Sequence, residues 1–138
     1  MNNNAVIRVT SKRDADEDIE LVTEGGFYFK NDAWYIIYEE NEEMGMADCS
    51  VMIKVKSDEV VVTRKGSFSS KMIYKTGVTN EFLYHMPYGN MSIILTTHEI
   101  DFSFDDNGGE LNLVYFLSVH EGDVENILNI KVNRVDGY

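Results

Sequence analysis

The sequence predicts an all-β protein, an antiparallel up-and-down barrel of about eight to ten short strands. Three observations predict it. Apolar residues recur with period two along most of the chain. Turn residues interrupt that alternation at short intervals. No stretch carries a convincing helical period.

Taken in order, Ile7 and Val9 alternate with Val6, Arg8 and Thr10. Trp34, Ile36 and Tyr38 share one face of a second run, with Tyr35, Ile37 and Glu39 on the other. Val51, Ile53 and Val55 alternate with Met52, Lys54 and Lys56, and Val60, Val62 and Arg64 share a face of the next run. Ile100, Phe102 and Phe104 alternate with Asp101 and Ser103. A long run puts Leu111, Leu113, Tyr115, Leu117 and Val119 on one side, and a last one puts Leu128, Ile130 and Val132 together. β-Branched and aromatic residues dominate, as a pleated half-buried surface favours.

Turns are expected at Gly25-Gly26, Asn31-Asp32, Ser57-Asp58, Gly89-Asn90, Asp105 to Gly109 and Gly122-Asp123. The last suits a two-residue hairpin, where glycine supplies the positive φ. Residues 14–18 read as a solvated turn or a weak helical cap, and residues 121–128 could hold one helical turn before the period-two pattern returns. Every connection reads as local, which favours a barrel over a Greek-key sandwich, and closure removes the edges that invite aggregation. The interior of such a barrel is filled by side chains or holds one small ligand.

The 138 residues fit a single domain over 1–138, with no Pro/Gly/Ser linker and Pro87 as the one proline. Hydrophobic residues make up 43%, enough for a core. The formal charge of −12 repels phosphate backbones and anionic lipid, so neither nucleic acid nor a membrane is expected as a partner. No apolar run approaches the roughly 20 residues that span a bilayer. The polar start Met1-Asn2-Asn3-Asn4 predicts a cytoplasmic protein, and Cys49 stands alone, so no intrachain disulfide forms.

Several stretches occur in a telling order. They are Trp34-Tyr35-Ile36-Ile37-Tyr38-Glu39-Glu40, Val60-Val61-Val62-Thr63-Arg64-Lys65-Gly66, Tyr84-His85-Met86-Pro87-Tyr88-Gly89 and Leu111-Asn112-Leu113-Val114-Tyr115. Together they resemble the YwiB-like family of small bacterial proteins, over nearly the whole chain. The resemblance implies a calycin-like (lipocalin-like) β-barrel and a bacterial, cytosolic setting. It implies no activity, substrate or catalytic residue. The chain departs from the family pattern at His85-Met86, where a Thr-Pro-Tyr-Gly pattern would place a hydroxyl before Pro87.

Seven residues are candidates for contact with a ligand: Trp34, Tyr38, Glu40, Arg64, Tyr84, Tyr88 and Tyr115. Arg64 and the Glu39/Glu40 pair end two strands, where a guanidinium and a carboxylate can face each other across a barrel mouth and hold a polar or anionic group. The more ordinary reading of the same residues is a structural ion pair that closes one barrel end, or a solvated surface pair. Tyr84 to Asn90 reads as a lip with hydroxyl and imidazole handles, or as a strand end bent by Pro87.

Other chemistry is not expected. His85, His98 and His120 are far apart, with no paired spacing for zinc. Asp14-x-Asp16-x-Asp18 imitates a calcium loop, but Ile19 stands where that loop needs glycine and Gly25 where it needs a bidentate Glu. Asp105 to Glu110 lacks the spacing. Phosphate-binding loops, dinucleotide fingerprints and a nucleophile elbow are absent from the sequence. No metal, cofactor or catalytic residue is therefore expected. The seven methionines and 12% aromatic content suit either a core or a soft apolar pocket. Function is expected to be non-catalytic binding of a small, largely apolar ligand in or at the mouth of the barrel. The alternative is an interaction or structural protein, a homodimer with no small-molecule site.

Overall fold

The computed structural model describes residues 4–13, 19–40, 49–66, 69–86, 89–118 and 123–135, with the backbone alone at positions 84, 86 and 123. Its strands are β1 (Ala5–Arg13), β2 (Ile19–Lys30), β3 (Ala33–Glu40), β4 (Cys49–Val55), β5 (Val60–Gly66), β6 (Ser70–Tyr74), β7 (Thr79–Met86), β8 (Gly89–Asp105), β9 (Gly108–Ser118) and β10 (Asp123–Arg134). They form one ten-stranded antiparallel sheet in the order β6-β5-β4-β3-β2-β1-β10-β9-β8-β7. The first strand meets the last, Ala5 opposite Arg134 and Arg13 opposite Asn126. The sheet curls into a nearly closed barrel, as expected for the up-and-down class.

The gap in the barrel falls mid-chain, between β6 and β7. These strands touch at one bridge, where Ser69 and His85 exchange backbone hydrogen bonds of 2.9 and 2.8 Å. Asn80 Nδ2 donates to the Ile73 carbonyl at 3.2 Å and bridges part of the remainder. The link between them is a turn at Lys75–Val78, with Gly77 at φ 78. The Thr97 hydroxyl accepts from the Lys75 amide at 3.2 Å and pins that turn to β8.

The period-two faces point inward as a set. Ile7, Ile36, Val51, Ile53, Val55, Val60, Leu95, Leu111, Leu113 and Ile130 are buried in one core. Removing such side chains from water, at about 25 cal/mol per Å² of apolar surface, dominates the stabilisation of a small barrel. Ile100, Phe102 and Phe104 also pack on this core. They do so because β8 carries a bulge between Thr97 and Glu99, which resets the alternation so that buried Thr97 and Ile100 both face inward.

Three expected turns are corrected. Gly25-Gly26 lies inside β2, which pairs with β1 up to Gly25 and with β3 from Gly26 onward. A side chain at Gly25 would collide with the Ile37 carbonyl and with Ile7 Cδ1, so glycine serves close approach here and not reversal. At Gly122-Asp123, Asp123 already lies on β10 opposite Ser118. Asn31 and Asp32 do form a tight hairpin with φ of 51° and 62°. Gly89-Asn90 is also no turn: it opens β8, with Gly89 paired to Met86 and Asn90 to His85. The expected features at 14–18, Val119, Gly122 and Pro87 lie outside the described residues.

Candidate functional site

The two ends of the barrel differ in chemistry. At the end holding the β2–β3 and β8–β9 hairpins, Phe27 stacks on Trp34 with centroids 5.2 Å apart and planes 6° from parallel. Phe104 closes on both rings at 5.6 and 5.9 Å. Asn4 clamps the Phe27 backbone from both sides, accepting from its amide at 2.8 Å and donating to its carbonyl at 2.9 Å. Arg134 donates to the same carbonyl at 2.9 Å and lies over the Phe27 ring. This end is an aromatic plug.

Toward the other end, where β1, β3 and β5 finish, the lumen keeps a cavity of ≈ 170 Å³. Val9, Leu21, Ile53, Val62, Met72 and Leu128 make its apolar wall, with Ile19, 59% exposed, at its edge. Ser11, Tyr38, Glu40, Arg64, Tyr74 and Tyr115 supply the polar groups. Strand alternation puts them there. Arg64 follows Val60 and Val62 on the inner face of β5, and Glu40 follows Ile36 and Tyr38 on β3. Arg64 Nε donates to Glu40 Oε1 at 3.3 Å across the intervening strand β4. Glu39 has the opposite parity and accepts from Ser50 on the outer face at 3.0 Å.

The two side chains of the pair are 26% and 12% exposed, so solvent screens them only in part. Burial opposes the charge on Arg64, but the Glu40 carboxylate and the tyrosine oxygens outweigh it and raise its pKa, which keeps it a cation. Burial pushes the Tyr38, Tyr74 and Tyr115 phenols above their ordinary range, with Arg64 offsetting part of the rise in each. All three stay protonated at neutral pH and can donate hydrogen bonds. Tyr74 meets Tyr115 edge-on at 4.8 Å, and its hydroxyl lies 3.7 Å from Met72 Sδ.

The family model for a domain of unknown function (DUF1934) matches residues 5–130. The chain belongs to the DUF1934 family. The uncharacterized β-barrel protein YwiB of Bacillus subtilis (strain 168) is 28% identical over 113 residues, 82% of this chain and 77% of YwiB. The crystal structure of YwiB from Bacillus subtilis superposes with a TM-score of 0.87 over 97% of this chain and 93% of that one, at 23% identity. The ten-stranded barrel is thus a fold shared with YwiB, as the resemblance implied.

In this DUF1934 barrel the candidate residues divide. Tyr38, Glu40, Arg64 and Tyr115 meet at the cavity. Trp34 shares the inner face of β3 but sits in the plug at the opposite end. Tyr84 lies on β7 opposite Met91, its side chain outside the description, and Tyr88 is outside the described residues. Tyr74 and Met72 were missed, although they alternate with Lys71 and Ile73 as lumen residues do. Among the described residues, no three His, Cys, Asp or Glu side chains gather as metal ligands. His98 meets the Phe116 ring edge-on, and Cys49 is buried. No helix of the described residues is long and apolar enough to cross a membrane, which says nothing of spanning by strands.

The barrel wall carries a second concavity of ≈ 680 Å³ over the β6–β7 gap. It is lined by Thr63, Arg64, Lys65, Ser69, Ser70, Lys71, Glu81, Phe82, Leu83 and His85. Arg64 alone belongs to both this cleft and the lumen.

Proposed function

We propose that this barrel is a cytoplasmic, non-catalytic binding protein that takes one small, largely apolar ligand at its mouth. The apolar body lies against Val62, Leu21 and Met72, and a polar end meets Arg64 and the phenols. The observation that carries this reading is the ≈ 170 Å³ cavity with a charged pair and three phenols set against an apolar wall. A cavity of about 150 Å³ accommodates benzene, so the ligand has roughly six to eight non-hydrogen atoms. At the ceiling of about 1.5 kcal/mol per atom for very small ligands, that bounds the binding free energy at about 9–12 kcal/mol, an affinity no tighter than about nanomolar. The non-catalytic part rests on the phenols, held protonated and so unable to act as bases at neutral pH, and on an arginine already paired with its carboxylate.

The test is native mass spectrometry of the freshly purified chain, followed by a thermal-shift screen of small aromatic and branched aliphatic acids, alcohols and amides. A bound small molecule, or stabilisation that Val62→Trp abolishes in a still-folded barrel, supports the reading. Arg64→Met keeps the lumen apolar and should weaken acids more than alcohols. A chain that carries nothing and responds to no compound refutes it. A second reading, a homodimer without a small-molecule site, draws on Leu83 and Ile94, 49% and 42% exposed on adjoining strands β7 and β8. A monomer in sedimentation equilibrium removes it.

A further inference from the structure

The cleft over the β6–β7 gap has a chemistry opposite to that of the chain. The protein carries a net charge of −12, yet here Arg64, Lys65 and Lys71 gather with His85 against one carboxylate, Glu81. The register explains the gathering. Arg64 pairs with Ser70 across β5 and β6, Thr63 pairs with Lys71, and Ser69 pairs with His85 across the gap. Exposed Lys65 and Lys71 stand on the outer face, while Arg64 and Ser70 have inward parity. The cleft therefore reaches through the wall, which the missing ladder between β6 and β7 permits.

A second, independent feature points to a ligand. Ser70 is 5% exposed, and its hydroxyl is buried with no hydrogen-bond partner among the described residues. A buried hydroxyl left unpaired is costly, and such groups are uncommon outside sites that something else completes. The bond to Glu40 uses Nε of Arg64, and a guanidinium has two further donor nitrogens.

We propose that this cleft is an oxyanion site that takes the phosphate group of a small phosphorylated molecule. Lys65, Lys71 and Arg64 supply the charge, and the Ser70 hydroxyl supplies a hydrogen bond. With Arg64 already paired to Glu40, Lys65 and Lys71 still outnumber the single carboxylate of Glu81, and that excess of positive charge suits a phosphate group. The volume of ≈ 680 Å³ leaves room for the body of the molecule, with Phe82 and Leu83 as apolar wall. The site does not depend on whether the lumen holds a ligand.

The experiment is an amide-resolved NMR titration of the full chain with inorganic phosphate and pyrophosphate, against sodium chloride and acetate at equal ionic strength. Saturable shifts at Ser69, Ser70, Lys71 and His85 with the phosphates alone are expected. Lys65→Glu combined with Lys71→Glu, both exposed and harmless to the core, should weaken binding roughly tenfold or more. Ser70→Ala should weaken it less, and Val62→Trp, which fills the lumen, should leave it intact. Shifts that chloride reproduces, or that survive the double charge reversal, overturn the proposal. So does a response to an acidic peptide with none to phosphate, which would make the gap a strand-docking edge.

Discussion

Breaking the Arg64–Glu40 pair from one side should cost far more than replacing both partners. At 3.3 Å and an effective dielectric constant of about 20, the direct attraction is roughly 5 kcal/mol. Partial loss of hydration offsets most of it, and because neither side chain is more than 26% exposed, the remainder is not screened away. Glu40→Leu should therefore lose about 1–3 kcal/mol, leaving a half-buried guanidinium without its counter-charge. Arg64→Met should lose a similar amount or more, because Glu40 is the more buried partner. The double variant Glu40→Leu/Arg64→Met should lie within about 1 kcal/mol of the parent, since an apolar pair fits an apolar lumen. The coupling energy should come out near 1.5–3 kcal/mol. Urea unfolding followed by Trp34 fluorescence measures all four species, and unchanged slopes show that stability alone has moved. If both single variants stay within about 0.5 kcal/mol of the parent, the pair is no more than an ordinary surface contact and the electrostatic account of the mouth fails.

Other perturbations test the rest of the fold. The raised phenols of Tyr38, Tyr74 and Tyr115 favour the neutral form in the folded state. Their stabilisation is complete below the unfolded pKa of about 10 and drains away above it, by up to about 1.4 kcal/mol per pH unit for each tyrosine. The urea midpoint should fall as the pH rises above about 10, and Tyr74→Phe should flatten that fall; an unchanged slope in the variant contradicts the assignment. Gly25→Ala should destabilise by at least about 2 kcal/mol, because the new methyl meets the Ile37 carbonyl and Ile7; a neutral result in calorimetry would mean that β2 shifts freely. Phe27→Ala opens the plug and should lose about 3–5 kcal/mol, read as a lowered melting temperature. An unchanged melting temperature would show that the rings at that end are not packed as described.

Period-two alternation made β1, β3, β4, β5, β9 and β10 legible, because one buried face imposes it residue by residue. It failed for β6, where Ser70-Lys71-Met72-Ile73-Tyr74 mixes polar and apolar residues on both faces, and so Tyr74 was overlooked. It also says nothing of the bulge after Thr97, since odd spacing looks the same as a broken pattern. Gly25-Gly26 misled because a glycine pair serves a turn and a close approach equally well. Parity grouped Arg64 with Val60 and Val62, and Glu40 and Tyr38 with Trp34, without saying which face turns inward, and a face is not a depth. Four residues of strand, about 13 Å, separate Trp34 in the plug from Tyr38 at the cavity. The basic cleft was invisible for a related reason: Lys65, Lys71 and His85 come from three strands, and it takes the β5–β6 ladder and the bridge at Ser69 and His85 to bring them to one place.

The contrast between the two barrel ends bears on function more than either end does alone. A lumen that needed only to be filled could repeat at the mouth what Phe27, Trp34 and Phe104 do at the plug. Aromatic rings there would remove more surface from water and strand no charge. The chain instead places an arginine, a glutamate and three phenols around unfilled space. That choice costs stability, which the buried apolar side chains away from the mouth, Val55, Val60, Leu95, Leu111 and Leu113 among them, have to supply. Departures from the rule of an apolar interior concentrate where proteins bind or react. Arg64 makes the departure deepest, because its one guanidinium faces both the lumen and the gap in the wall. Replacing it with its partner Glu40 is then the change that separates the two roles of this barrel: stability recovers, and whatever the charged mouth binds is lost.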